Sequence, residues 1–337
     1  MAERAPRVEI QGGDGFDLLV SAVAVADPDW RAVLTHGPDV WSTVRRDLGT
    51  DLTRAVGRFG RFGWINLAGL LAAEGGRRGA RADVIELVDR TSARKLRFVV
   101  AGGMRRQLQD RLGAEPLRAA LAGDRAAARA LSRALATPGM LLEASDWVRH
   151  VEDAELKKVL LRLLSAWPTL SIGDPADCSG HARARLSAVG ASALLTEVTP
   201  GIRYGPAVLE RVVLVGSALV EPILISVDQP DMTVIIHPPL TEDGMADAGR
   251  ALRDQGSAVG DETRILVLRE LRAGPRTLGD LCAALDRPRT TLLHHLALLR
   301  AAGFVSLTVT AGESNVYRLD PAGFEGLARA ARGFVLD

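Results

Sequence analysis

At 337 residues, 47% of them apolar and 25% charged, the chain is long enough for two globular domains that each bury a core. A net charge of +1 excludes overall attraction to nucleic acid or membrane, so any contact with a polyanion has to come from a local patch. The opening MAERAPRVEI lacks an apolar signal segment, no run approaches the roughly 18 apolar residues of a membrane span, and two distant cysteines, Cys178 and Cys282, exclude a disulfide framework.

These features predict a cytoplasmic protein with no membrane partner. Its positive charge is almost all arginine, lysine occurring only at Lys95, Lys157 and Lys158, which reads as coding bias rather than as a phosphate-binding surface. Val8 to Gln11 suit a short strand, followed by Gly12-Gly13 and a helix from Asp14, as N-cap, to Ala26. From Asp39 to Arg162 one helical pattern follows another; in the last, Leu156, Leu160, Leu163 and Leu164 share a face that excludes Lys157, Lys158 and Arg162. The echo Gly57-Arg58-Phe59-Gly60-Arg61-Phe62-Gly63 reads as a helix end or a close helix approach. No Lys-Ser/Thr follows it and no strand precedes it, as a phosphate loop requires.

After Thr199 the runs ERVVLVGSALV, EPILISV and MTVIIHP are rich in β-branched residues, and we expect two or three antiparallel strands. A polar stretch from Thr241 to Glu262 then reads as a connection to a separate C-terminal unit, with the boundary near Asp254. The expected fold is thus mostly α with small β elements. A helical N-terminal domain at 1–250 carries a short antiparallel β element near 208–237, and a winged helix-turn-helix occupies 255–337.

That C-terminal reading comes from the order of its elements. Glu262 to Arg272 is amphipathic, with Ile265, Leu268 and Leu271 inward; Thr277 caps a short helix, LGDLCAAL; a third helix runs from Pro288 to Ala302 and stops at Gly303. FVSLTVT and NVYRLD, separated by Ala311-Gly312-Glu313-Ser314, form a hairpin spanning 304–319. Such an order places the helix at 288–302 in the major groove of double-stranded DNA with the wing beside it. Between Arg287 and Arg300 there are three arginines and no acid. Arg287, Arg289, Thr290, Thr291, His294 and Arg300 are therefore the candidate DNA contacts of the helix, and Ser314, Asn315 and Arg318 those of the wing.

The phrases AVGDETRIL, LGDLC, LLHHLALLRAAG and VYRL resemble, in that order, those of the ArsR/SmtB family of bacterial transcription repressors, over about the last 80 residues. The resemblance implies a homodimeric repressor reading an inverted repeat. It also implies a metal site in many members, from which this chain departs: Thr277 and Gly279 stand where those sensors have a cysteine pair, and the tail after the wing has no histidine. Cys282 falls on the apolar side of its helix, as a core residue. No metal and no cofactor are expected, and Cys178-Ser179-Gly180-His181, two ligand types without a second pair, reads as a loop.

His294 and His295 adjoin, but neighbouring helical residues point about 100° apart. His295 joins Leu292, Leu296 and Leu299 on the core face; Thr290, Thr291 and His294 face outward. Where the family usually has Ser-Arg-His-Leu, this chain has Leu293-His294-His295-Leu296, so His294 replaces an arginine. The scattered His36, His150 and His237 and the lack of a nucleophile-elbow or phosphate-loop frame argue against an enzyme. All five tryptophans lie upstream of residue 250, where they fill a bundle core or line a pocket for a small-molecule or protein effector. Two other readings fit the same residues: a winged-helix protein-interaction adaptor, and an N-terminal enzyme fused to a regulator-like tail.

Overall fold

The computed structural model describes residues 6–36, 38–74, 79–135, 146–170, 175–204, 209–240, 248–310 and 314–336. They fall into two compact units, Ala5–Ala191 with Glu210–Pro239, and Ser192–Leu209 with Leu240–Asp337. The chain is mostly helical with small sheets, as expected.

The larger unit begins with β1 (Arg7–Gln11) and α1 (Asp14–Ala26). The helix has the expected bounds but not the expected cap: Gly13 takes that place, while Asp14 accepts the backbone N–H of Arg81 at 2.8 Å. From Gly15 to Val25 every residue of α1 is buried, which suits a segment whose only polar side chains are Asp17 and Ser21. After the one-turn α2 (Pro28–Arg31), α3 (Pro38–Glu74) runs along α1 and bends at Gly49 (φ 74) and Gly60 (φ 65). Gly60 is the middle glycine of the Gly-Arg-Phe echo, so the motif ends one helical segment and starts the next.

The following helices are α4 (Arg81–Arg90), α5 (Ala93–Val100), α6 (Arg106–Leu112), α7 (Ala114–Leu121), α8 (Arg125–Leu135), α9 (Asp146–His150), α10 (Asp153–Ala166) and α11 (Pro175–Val189). The four leucines of α10 are fully buried on one face, as their spacing predicts. Trp41, Trp64 and Trp167 are buried, and the ring of Phe59 meets those of Trp64 and Trp147 at 5.1 and 5.2 Å, so these aromatics fill the core. Cys178 and His181 lie on α11 rather than in a loop, the first buried and the second exposed.

Between the two segments of the larger unit, α12 (Ala191–Val198) and β2 (Ile202–Tyr204) carry the chain into the C-terminal unit. The larger unit resumes with β3 (Arg211–Gly216), β4 (Ile225–Asp228) and β5 (Thr233–His237). Their sheet has the order β1-β3-β5-β4. Only β4 and β5 pair antiparallel as expected; β1–β3 and β3–β5 are parallel, with Val8 beside Val212 and Val213 beside Val234. The cause is visible in the strands: Val212 to Gly216 and all of β5 are buried without alternation, the pattern of strands covered on both faces.

In the C-terminal unit, the segment read as a polar connection forms α13 (Ala248–Val259) from residue 248 on; residues 241–247 lie outside the description. There follow α14 (Glu262–Arg272), β6 (Arg276–Thr277), α15 (Leu278–Leu285), α16 (Arg289–Ala301), β7 (Val305–Val309), β8 (Val316–Leu319) and α17 (Pro321–Leu336), the last packed on α13. The sheet order is β2-β7-β8-β6, so the expected hairpin of β7 and β8 gains a strand on each side. Val267, Leu271, Leu281, Leu292, Leu296, Leu299 and Phe304 form the core, with Leu268 and Cys282 partly buried against it. Ile265 is a correction: it is 54% exposed, because the buried face of α14 is set by Val267 and Leu271, and Ile265 lies well round the helix from both.

One buried ionisable group of the larger unit yields a prediction. Asp17 on α1 accepts the Ser217 hydroxyl at 2.5 Å, and burial pushes its carboxyl up to about 6, with Asp14 adding to the rise and the Ser217 bond opposing it. A carboxyl raised in the native state holds its proton longer than in the unfolded chain, so its contribution to stability falls as pH rises from about 4 to 6. Asp17→Asn, which keeps an acceptor for Ser217, is expected to remove that slope and to stabilise the unit above pH 6 by up to about 3 kcal/mol. Denaturant unfolding of variant and wild type across pH 4–8 checks this; a constant difference between them contradicts it.

Candidate nucleic-acid interface

Local sequence fixes each helix start around α16. Asp261 caps α14 by accepting the Arg264 N–H at 3.0 Å. Thr277 caps α15 in a reciprocal box: its hydroxyl accepts the Asp280 N–H at 3.2 Å, and Asp280 accepts the Thr277 N–H at 2.8 Å. The Thr277 N–H, and the Thr277 hydroxyl that donates to the same carboxylate at 2.8 Å, hold the Asp280 carboxyl below its ordinary pKa. Asp286 takes the left-handed conformation (φ 49) that ends α15, Pro288 immediately precedes α16, and Gly303 (φ 81) follows its end.

The inward face of α16 is the expected one, while Thr291 and His294, expected to face outward, are half-buried. Leu292, Leu296 and Leu299 are fully buried and His295 is 9% exposed. Its Nδ1 lies 3.5 Å from the Asp261 carboxylate, and its ring meets that of His294 edge-on at 5.2 Å. Burial lowers the pKa of His295, Asp261 pulling it back up and His294 and Arg264 pushing it further down. Asp261 is shifted downward in turn: burial works against its charge, but the Arg264 N–H and the facing His295 prevail. The two histidines are thus one packed ring against the cap of α14 and one half-buried ring beside it.

The candidate contacts separate in space. Arg287, Ser314 and Arg318 are exposed, while Arg289, Thr291, His294 and Asn315 are half-buried; the side chain of Thr290 and the turn at 311–313 lie outside the description. Arg289 is enclosed at its Nε and close enough to Cys282 and Tyr317 to oppose the burial that raises both their pKa values. Arg300 is a correction. It is 6% exposed, its Nη1 donates to the carbonyl oxygen of Pro200 at 2.7 Å, and burial lowers its pKa against the pull of Tyr204 and Tyr317. The last turn of α16 faces protein, so of three arginines two remain as candidate contacts, Arg287 and Arg289. The same burial pushes the Tyr317 hydroxyl up to about 12.

Sequence reasoning missed Asp261 as the neighbour of His295, and it missed Pro200, Gly201 and Tyr204 as parts of this unit. A signal for the second group was present: Thr199-Pro200-Gly201 is a turn pattern, and Ile202-Arg203-Tyr204 is a short run with strand-forming ends.

A family model described as a helix-turn-helix domain matches residues 259–308, from the end of α13 through most of β7. The C-terminal unit therefore carries a helix-turn-helix domain of the kind that binds DNA. No curated protein matches the chain. No solved structure matches it either. Among the described residues no helix is long and apolar enough to cross a membrane.

Asp261→Ala removes the cap of α14 and the partner of His295 together. It should destabilise the C-terminal unit by about 1–2 kcal/mol, the cost of a lost aspartate cap. Urea unfolding followed by helix signal measures it; a loss below a few tenths would show that the cap does not matter here.

Proposed function

We propose that the protein is a transcriptional regulator, a repressor, that binds an inverted-repeat operator in double-stranded DNA as a homodimer. Helix α16 enters the major groove and the wing of β7 and β8 lies beside it, while the larger unit senses a small-molecule or protein effector. The observation that carries the reading is the helix-turn-helix match at 259–308, coinciding with α14, α15, α16 and β7 in the required order. The resemblance to ArsR/SmtB repressors supports the direction of regulation. Dimer formation is supported by apolar side chains left in solvent on α17, Phe334 at 62% and Val335 at 78% exposure. Two α16 helices then read half-sites about 34 Å apart, one turn of DNA. The reading assigns no catalysis and no cofactor or metal to the chain.

Arg287 and Arg318 are the exposed cations among the candidate contacts, one ahead of α16 and one on the wing. Phosphate contacts are therefore few, and affinity should depend only moderately on salt. Footprinting on the DNA upstream of the protein's own coding sequence is expected to show a protected symmetric site at low salt; no protection of any such site would overturn the proposal. On that site Arg287→Gln and Arg318→Gln should each weaken binding and lower the slope of log affinity against log salt by about one. His294→Arg, which restores a permanent charge, should tighten it.

A further inference from the structure

Arg300 sits in the final turn of α16, where a positive side chain would reach phosphate, yet it turns into the protein. Among the described residues no carboxylate pairs with it. A guanidinium taken from water without a counter-charge has to recover hydrogen bonds from neutral acceptors. The acceptor here is the Pro200 carbonyl, a hundred positions upstream, at 2.7 Å.

The upstream segment is shaped to this side chain. Gly201 has φ 71, and a Cβ on it would stand 3.0 Å from Cγ of Arg300 and 3.1 Å from the carbonyl oxygen of Val305. A larger residue there is strained in its backbone and crowded on both sides. Beyond Gly201, β2 runs parallel to β7 with Ile202 beside Leu307 and Tyr204 beside Val309, and the Leu307 N–H donates to the Gly201 carbonyl at 2.7 Å. Before it, Thr199 is buried and its hydroxyl returns to the Leu195 carbonyl of α12 at 2.6 Å. All of these upstream residues precede the helix-turn-helix match at 259–308, so β2 is an addition to that domain.

We propose that Arg300 is a positioning residue for DNA binding: it latches β2 onto β7 and thereby ties the wing to the chain that joins the two units. Residues 192–209 leave the larger unit after Ala191 and return to it at Glu210, so the strand on the wing is connected covalently to that unit at both ends. A change of state in the larger unit has a direct mechanical route to the wing through this strand. The DNA side of the proposal rests on the regulator reading; the latch itself does not.

Two full-length variants attack the latch from opposite sides. Arg300→Met keeps an unbranched apolar stem and loses the donor, and Gly201→Ala leaves Arg300 in place but pushes on its Cγ. Hydrogen exchange without DNA should show the Leu307 amide exchanging at least tenfold faster in both. Binding is then titrated over a salt series with the footprinted duplex, or with a generic duplex at low salt where no site is protected. Each variant should bind about tenfold more weakly with an unchanged salt slope, and the double variant no more weakly than either alone, because both act through one strand. A salt slope lowered by about one in Arg300→Met, with Gly201→Ala unaffected, would identify Arg300 as a phosphate contact and overturn the proposal. Unchanged Leu307 exchange in both variants would overturn it as well. If the wild-type chain binds no duplex, the regulator reading falls and the positioning role with it, while the exchange experiment still decides the latch.

Discussion

A buried charge constrains everything near it, and in the C-terminal unit that charge is Arg300, which no carboxylate among the described residues pairs with. Removed from water, the guanidinium needs acceptors whose positions are fixed, which main-chain carbonyls supply better than mobile side chains. Its bond to Pro200 therefore recruits a stretch of backbone, and that stretch brings a strand with it. The wing becomes the middle of a four-stranded sheet in place of a free hairpin. An isolated two-stranded ribbon is marginal in water, whereas three or more strands packed on helices are stable. Arg300, one of the candidate DNA contacts by position, thus turns inward against the strand that flanks the wing.

What was legible in the sequence follows from how local its physical cause is. The bounds of α1, the leucine face of α10, the Thr277 cap and the inward turn of His295 rest on spacings within a few residues, and the structure has all of them. The pairing of β1 with β3 does not: it joins Val8 to Val212, and nothing in VEIQ names its partner. The unbroken apolar runs of β3 and β5 did carry information, since strands that do not alternate are covered on both faces and such strands are usually parallel. Ile265 shows the limit of periodicity itself. Several apolar positions on α14 suit an inward face, and only packing on the neighbouring helices decides which of them point there.

The candidate interface was legible as a set of elements more than as a set of side chains. Capping residues and glycine stops mark α14, α15 and α16 because they act on the adjacent backbone. Whether an arginine on such a helix faces solvent depends on what lies over its last turn. Here that is Pro200 and Gly201, from a part of the chain that sequence order assigns elsewhere. A charge tally therefore overstates the positive face, and burial reduces three arginines to two.

This redistribution bears on how such a surface discriminates. With Arg287 and Arg318 as the exposed cations among its candidate contacts, the proposed interface offers few sites for the salt-sensitive attraction that binds any duplex alike. Specificity is a ratio of site to non-site affinity, so a low non-specific term lets a modest number of base contacts suffice. Arg289, Thr291 and His294, at the start of α16, are half-buried, and a side chain already restricted by packing loses less entropy on binding than a free surface one. A wing held from both sides of its sheet works in the same direction, because a contact that is positioned before binding discriminates better than one ordered during it. Under the proposed regulator reading, the small net charge, the half-buried side chains and the strand paired with the wing all favour recognition by positioned contacts over recognition by charge alone.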